Sequence, residues 1–112
     1  MPALLENAAR WHGSTPVVSL LSDGSTLVRS WREVRERAGA AAEALVSSLG
    51  VRRGHRVATL ALNSSAHLEV LYAVASVGAI HHTLNPRLVS FTFSFFLSFF
   101  FEVGGVEVEN LK

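Results

Sequence analysis

The chain has no cysteine among its 112 residues, and its only lysine is Lys112. Without cysteine there can be no disulfide, no thiolate metal site and no thiol catalysis. Phenylalanine is missing from the first ninety residues, and all seven then fall between Phe91 and Phe101. A folded core draws large aromatics from every element that lines it, so this burst sets the last quarter of the chain apart. Charge is also scarce, at 17% of residues with a net charge of +1. Residues 1–87 hold nine arginines against six acids, too balanced for a nucleic-acid footprint. The opening "MPALLENAARWHG" lacks the basic and apolar regions of a secretory signal, and with the missing cysteine this fits an intracellular protein.

What is present is the patterning of a folded domain, with 49% hydrophobic residues. "TPVVSLLSDGSTLVRS" predicts two short strands around Asp23-Gly24, a dipeptide suited to a hairpin turn. Ser30 and Glu33 then form the S-x-x-E pattern that caps a helix start. Trp31, Val34, Ala38, Ala41, Leu45 and Leu49 follow on one helical stripe. Glu33 precedes Arg37 by four residues, the favourable order for a pair on a helix surface. Gly50 stands where a helix ends. The apolar run from Val57 to Leu62 reads as a strand buried on both faces.

Asn63, Ser64 or Ser65 would cap a second helix over about 66–77, closed by Gly78, and "AIHHTL" reads as a further strand. Hairpin, helix, strand, helix, strand is the grammar of an α/β layer with parallel strands. The second helix is apolar on most sides, with Leu68, Leu71, Tyr72 and Ala75 on one stripe and Val70, Val74 and Val77 on another. Such a helix needs cover on most sides, more than these few elements provide.

Several reactive-looking groups reduce to ordinary ones. His12, His55, His67, His81 and His82 show no H-x-x-x-H or H-E-x-x-H spacing, and His81 and His82 alternate across a strand, so no metal site is expected. No G-x-S-x-G elbow surrounds any serine. Arg29, Arg32 and Arg35 could line a phosphate, but Glu33 and Glu36 interleave with them and favour a solvated, salt-bridged face. Trp31 reads as a core residue at the helix start rather than a stacking platform. "GVRRG" has no following Lys and hydroxyl residue and is no phosphate loop.

Residues 4–88, above all "LGVRRGHRVATLALN" and "GAIHHTLNPRL", resemble the N-terminal segment of the AMP-forming acyl-CoA synthetases, most closely the medium- and long-chain fatty acid–CoA ligases. One departure is His55, where the family usually carries Asp, a change expected to affect a turn. The resemblance implies a two-step reaction in which a carboxylate and ATP give an acyl-adenylate and coenzyme A then displaces AMP. ATP, Mg²⁺ and CoA are implied for a full-length member, with a fatty acid as substrate. The family's phosphate loop, acidic ribose-binding motif and catalytic lysine match nothing here. No catalytic, cofactor-binding or metal-binding residue is therefore assigned, and the chain is expected to be a truncated, inactive piece that binds no cofactor or nucleic acid itself. An aryl- or dicarboxylate–CoA ligase would differ only in a substrate pocket outside this chain.

After "LNPRL" the resemblance stops, and residues 89–112 form a separate phenylalanine- and serine-rich tail. Phe, Ser and Leu have pyrimidine-rich codons, and Val89-Ser90 can be written GTGAGT, a common intron start. The tail is thus expected to be translated intron or a frame error. Its uncharged run from Leu88 to Phe101 would reach about 21 Å as a helix, short of the roughly 30 Å of a bilayer core. Phe91, Phe93, Phe95, Phe96, Phe99, Phe100 and Phe101 instead offer a sticky contact for self-association or a membrane surface. On that reading the alternative function is a small non-enzymatic α/β module that binds or oligomerises through its tail.

Overall fold

The computed structural model describes residues 1–85 and the two-residue strand 106–107. The phenylalanine run and the boundary near residue 88 lie outside the described residues. The elements are helix α1 (Ala3–Trp11), strands β1 (Pro16–Leu20) and β2 (Thr26–Ser30), and helix α2 (Trp31–Ser47). Strand β3 (Arg56–Thr59), helix α3 (Ser65–Val77), β4 (Ile80–Thr83) and β5 (Val106–Glu107) follow. The expected hairpin and α-β-α-β order is therefore observed, with α1 and β5 as additions.

β1 and β2 pair antiparallel, with Val18 opposite Val28. The loop between them is longer than a two-residue turn. The Ser25 hydroxyl and N–H donate to Asp23 Oδ1 at 2.6 and 2.9 Å, which holds the Asp23 carboxyl below its usual range. Gly24 supplies the positive φ of 84° that the turn needs. The alternation of the strand buries Ser19 and leaves Val18 and Leu20 outside.

The α2 cap forms as its sequence implies. Glu33 N–H donates to Ser30 Oγ at 3.2 Å, and Ser30 N–H donates to Glu33 Oε2 at 2.7 Å. With its carboxylate held there, Glu33 leaves Arg37 for a better partner. The Arg37 Nε–H lies 2.9 Å from both carboxylate oxygens of Glu69 on α3. Along the stripe, Val34, Ala38 and Leu45 are buried. Leu49 lies beyond the end of the helix and is exposed, and Val51 N–H reaches back to the Leu45 carbonyl.

β3 and β4 run parallel around α3, with Arg56 opposite Ile80 and Thr59 opposite Thr83. β5 joins the free side of β3, also parallel, with Val57 opposite Val106. The tail expected to be foreign thus supplies a short strand. β3 is shorter than the apolar run that announced it. Its pairing with β4 ends at Thr59, and Leu60 and Leu62 pass beyond the sheet into exposure.

Two clusters make the core. Leu45, Val51, Val57, Val70, Ala73 and Val74 fill the space between α2, α3 and the sheet. Leu5, Val34 and Ala38, with Trp31, Val17, Leu68 and Tyr72 against them, join α1 to α2, α3 and β1. Trp31 is thus a packing residue. α3 buries Val70 and Val74 from one predicted stripe, while Leu71 and Ala75 from the other face outward. Among the described residues no helix is long and apolar enough to cross a membrane.

Candidate functional site

Ligands of open parallel sheets sit beyond the carboxyl ends of the strands, where loops converge on helix starts. Here that position is a cleft of about 500 Å³ beyond β3, walled by the β1–β2 loop, residues 59–64 and the first turn of α3. A second depression of about 450 Å³ adjoins it along β1 and α3. Leu20, Asn63, Ser64 and His67 line both.

Helix α3 starts at this cleft with two of its first amides engaged by serine side chains. Ser64 Oγ accepts from His67 N–H at 3.3 Å, and Ser19 Oγ accepts from Ser65 N–H at 2.8 Å in a fully buried contact. Free amides at a helix start hold anions. Here two serine hydroxyls of the chain itself take that role. Among the described residues the cleft is lined by leucines, alanines and small polar groups, with His67 and the carboxylate of Asp23 as its titratable groups and without an arginine or lysine. Among the described residues no group of three His, Asp or Glu side chains could hold a metal ion.

The structure brings together two histidines that sequence spacing kept apart. Thr59 Oγ1 lies 2.9 Å from His67 Nε2 and 2.8 Å from His81 Nε2. The two rings meet edge to face with centroids 5.6 Å apart. A threonine hydroxyl has one proton to donate and two lone pairs. With both rings neutral, it donates to one Nε2 and accepts from the N–H of the other, so the rings adopt opposite tautomers. Burial pushes the His81 imidazole below its usual range, and neighbouring His67 and His82 add to the effect. The arrangement links the cleft wall on α3, through the end of β3, to β4. No local motif announces it, because Thr59, His67 and His81 meet only once α3 has carried the chain from β3 to β4.

The remaining predicted groups are placed as follows. His55 Nδ1 accepts from Arg52 N–H at 3.3 Å, and His55 N–H donates to the Arg52 carbonyl at 3.0 Å. An imidazole nitrogen thereby helps to close the turn between Arg52 and His55. His12 ends α1. Arg35 pairs with Glu6 at 2.9 Å on the surface, in keeping with a salt-bridged face.

A βαβ unit behind an antiparallel hairpin, with its cleft at the carboxyl end of the parallel strands, makes this a small α/β fold. Comparison with known proteins makes this specific. The family model described as AMP-binding enzyme matches residues 4–99, and the chain belongs to that family. It is 45% identical over 86 residues to a medium-chain-fatty-acid–CoA ligase of Ectopseudomonas oleovorans, covering 77% of this chain and 16% of the relative. A long-chain-fatty-acid–CoA ligase of Thermus thermophilus is also 45% identical, over 84 residues, covering 75% and 15%. Among solved structures, a Mycobacterium tuberculosis fatty acyl CoA synthetase superposes with a TM-score of 0.69 at 25% identity, over 85% of this chain and 18% of that one. The chain spans about one-sixth of the length of the curated relatives it matches.

Proposed function

We propose that the chain is the N-terminal scaffold segment of an AMP-forming fatty acid–CoA ligase and does not turn over substrate by itself. In the whole enzyme a fatty carboxylate would attack the α-phosphate of ATP, releasing pyrophosphate, and the thiol of CoA would then displace AMP from the acyl-adenylate. ATP, Mg²⁺ and CoA belong to that whole enzyme. The observation that carries the reading is the 45% identity to a medium-chain ligase over the segment that forms the βαβ unit. The segment's contribution is the packing of α2 and α3 on β3 and β4, which presents a capped helix start beside the carboxyl ends of the parallel strands.

Two measurements test this. The isolated chain, given ATP, Mg²⁺ and a medium-chain fatty acid, is expected to release no pyrophosphate, and release above a no-protein control would overturn the reading. A chimera carrying residues 4–88 in place of the matching segment of the E. oleovorans ligase is expected to form acyl-CoA. Failure of a soluble chimera to do so would equally overturn it.

Residues 89–112 we read as foreign to the ligase on composition alone, although the family match runs on to residue 99. Mature transcript that keeps this stretch in frame would defeat that reading. The phenylalanines are read as a self-associating contact, and removal of 89–112 is expected to abolish high-molecular-weight species in size-exclusion chromatography.

A further inference from the structure

The cluster of Thr59, His67 and His81 has no part in the ligase reading, yet three separate elements converge to build it. β3 supplies Thr59 at the last position of its pairing with β4, α3 supplies His67 in its first turn, and β4 supplies His81. In the parallel register His81 stands beside Val57, on the face of the sheet that also carries Thr59. His82 stands beside Ala58 and turns to the other face. Both rings of the cluster present Nε2 to the same hydroxyl, at 2.9 and 2.8 Å, with centroids 5.6 Å apart. Neutral imidazole nitrogen is the commonest metal ligand among side chains. Thr59 and His67 also line the cleft of about 500 Å³, so the cluster meets solvent although Thr59 is only 6% exposed.

We propose that the two Nε2 atoms and the Thr59 hydroxyl form a site for one divalent transition-metal ion of the Ni²⁺, Cu²⁺ and Zn²⁺ group. The inference stands apart from the ligase reading. Ligands at right angles around an ion with bonds of about 2.0–2.1 Å lie about 2.9 Å apart, and tetrahedral ligands about 3.4 Å apart. The spacings of 2.9 and 2.8 Å match the first arrangement, so the ion enters with donor shifts of no more than roughly half an ångström. Imidazole suits these ions, whereas Mg²⁺ takes oxygen ligands. Two histidines are fewer than the three protein ligands of a catalytic zinc, and water from the cleft fills the remaining positions. The protons balance. In the empty site the hydroxyl donates to one Nε2 and accepts from the N–H of the other ring. On binding, that second ring moves its proton to Nδ1, and the hydroxyl keeps its own and turns a lone pair to the ion. The bound ion ties the first turn of α3 to the end of β3 and to β4, which favours the folded chain.

The test titrates the full 112-residue chain, without an affinity tag, with Zn²⁺ or Ni²⁺ alone. Calorimetry is expected to show saturable binding of one ion per chain, and none with Mg²⁺. In nitrogen-15 spectra of the histidine rings, Zn²⁺ is expected to move the Nε2 resonances of His67 and His81 and leave those of His12 and His55 in place. His67→Gln and His81→Gln are each expected to lose at least about tenfold in affinity, and Thr59→Val about tenfold, with the far-ultraviolet circular dichroism of the parent retained. The parent spectra locate the ion without any substitution, so they decide even where a variant fails to fold. Three outcomes overturn the proposal: no saturable binding of either ion, Zn²⁺ shifts confined to His12, His55 or His82, or folded histidine variants that bind as tightly as the parent.

Discussion

Around α1 and α2 the apolar side chains Leu5, Val34 and Ala38 point inward, Arg35 pairs with Glu6 on the surface, and Arg37 reaches the buried carboxylate of Glu69. Around the hairpin the order is inverted: Val18, Leu20 and Val28 face outward, and the position buried on β1 is Ser19. Both sides obey their local periodicity. The difference is that the first side is finished within the described residues and the second is not, so substitutions on the two sides should carry unlike costs.

The largest effect is expected at Arg37→Ala. Glu69 is 5% exposed, and losing its guanidinium leaves a carboxylate buried without its partner. Because Arg37 is itself half-exposed, the expected loss is about 3 kcal/mol, at the lower end of the range for broken buried pairs. Urea unfolding measures it, and a loss comparable to that of a surface pair would show that water reaches Glu69. Ser19→Ala comes next, since it strands the buried Ser65 N–H. A loss of about 1.5 kcal/mol is expected, with hydrogen exchange at Ser65 rising before exchange in the middle of α3. Ser64→Ala removes the α3 cap and should cost about 1 kcal/mol by the same urea assay.

A pH series separates the histidine pair from both faces. The folded pKa of His81 lies below its ordinary value of 6.5, so the unfolded chain takes up the proton first on acidification. Stability is then full above about 6.5 and is lost as pH falls from there toward the folded value. Thr59→Val, which removes the bridging hydroxyl, is expected to shift the ring resonances of its two partners His67 and His81 in NMR spectra taken at one pH. Smallest of all, Leu20→Ser on the outward face should shift the unfolding free energy by no more than about 0.5 kcal/mol. A large loss there would mean that the hairpin face is already covered within this chain.

Much of the fold was legible because its signals are local. Ser30 and Glu33 declare the α2 cap within four residues, Gly78 ends α3 at a φ of 76°, and the stripe through Val34, Ala38 and Leu45 marks the packed face. α1 was silent. It is a nine-residue helix behind Pro2, has no side-chain cap and buries only Leu5, so its stability comes from the contact with α2. The extent of β3 was misjudged for a related reason: Leu60 and Leu62 are as apolar as Val57, and only the end of pairing with β4 separates them. The Glu33–Arg37 pair fits helix spacing, but a carboxylate on another helix offered Arg37 two oxygens at 2.9 Å. Of the site, turn chemistry at His55 could be anticipated, whereas the meeting of His67 with His81 depends on a crossover that no short window contains.

Ser19 has a meaning for anyone who would redesign this unit. A hydropathy-guided editor would exchange it for valine, completing a tidy strand and filling an inward position with grease. That edit would unlatch the hairpin from the first amide of α3 and let the rim that carries Leu20 drift from the rim that carries Leu62. In this fold, the polar letter in an oily word is the hinge pin that keeps both lips of the hollow in register.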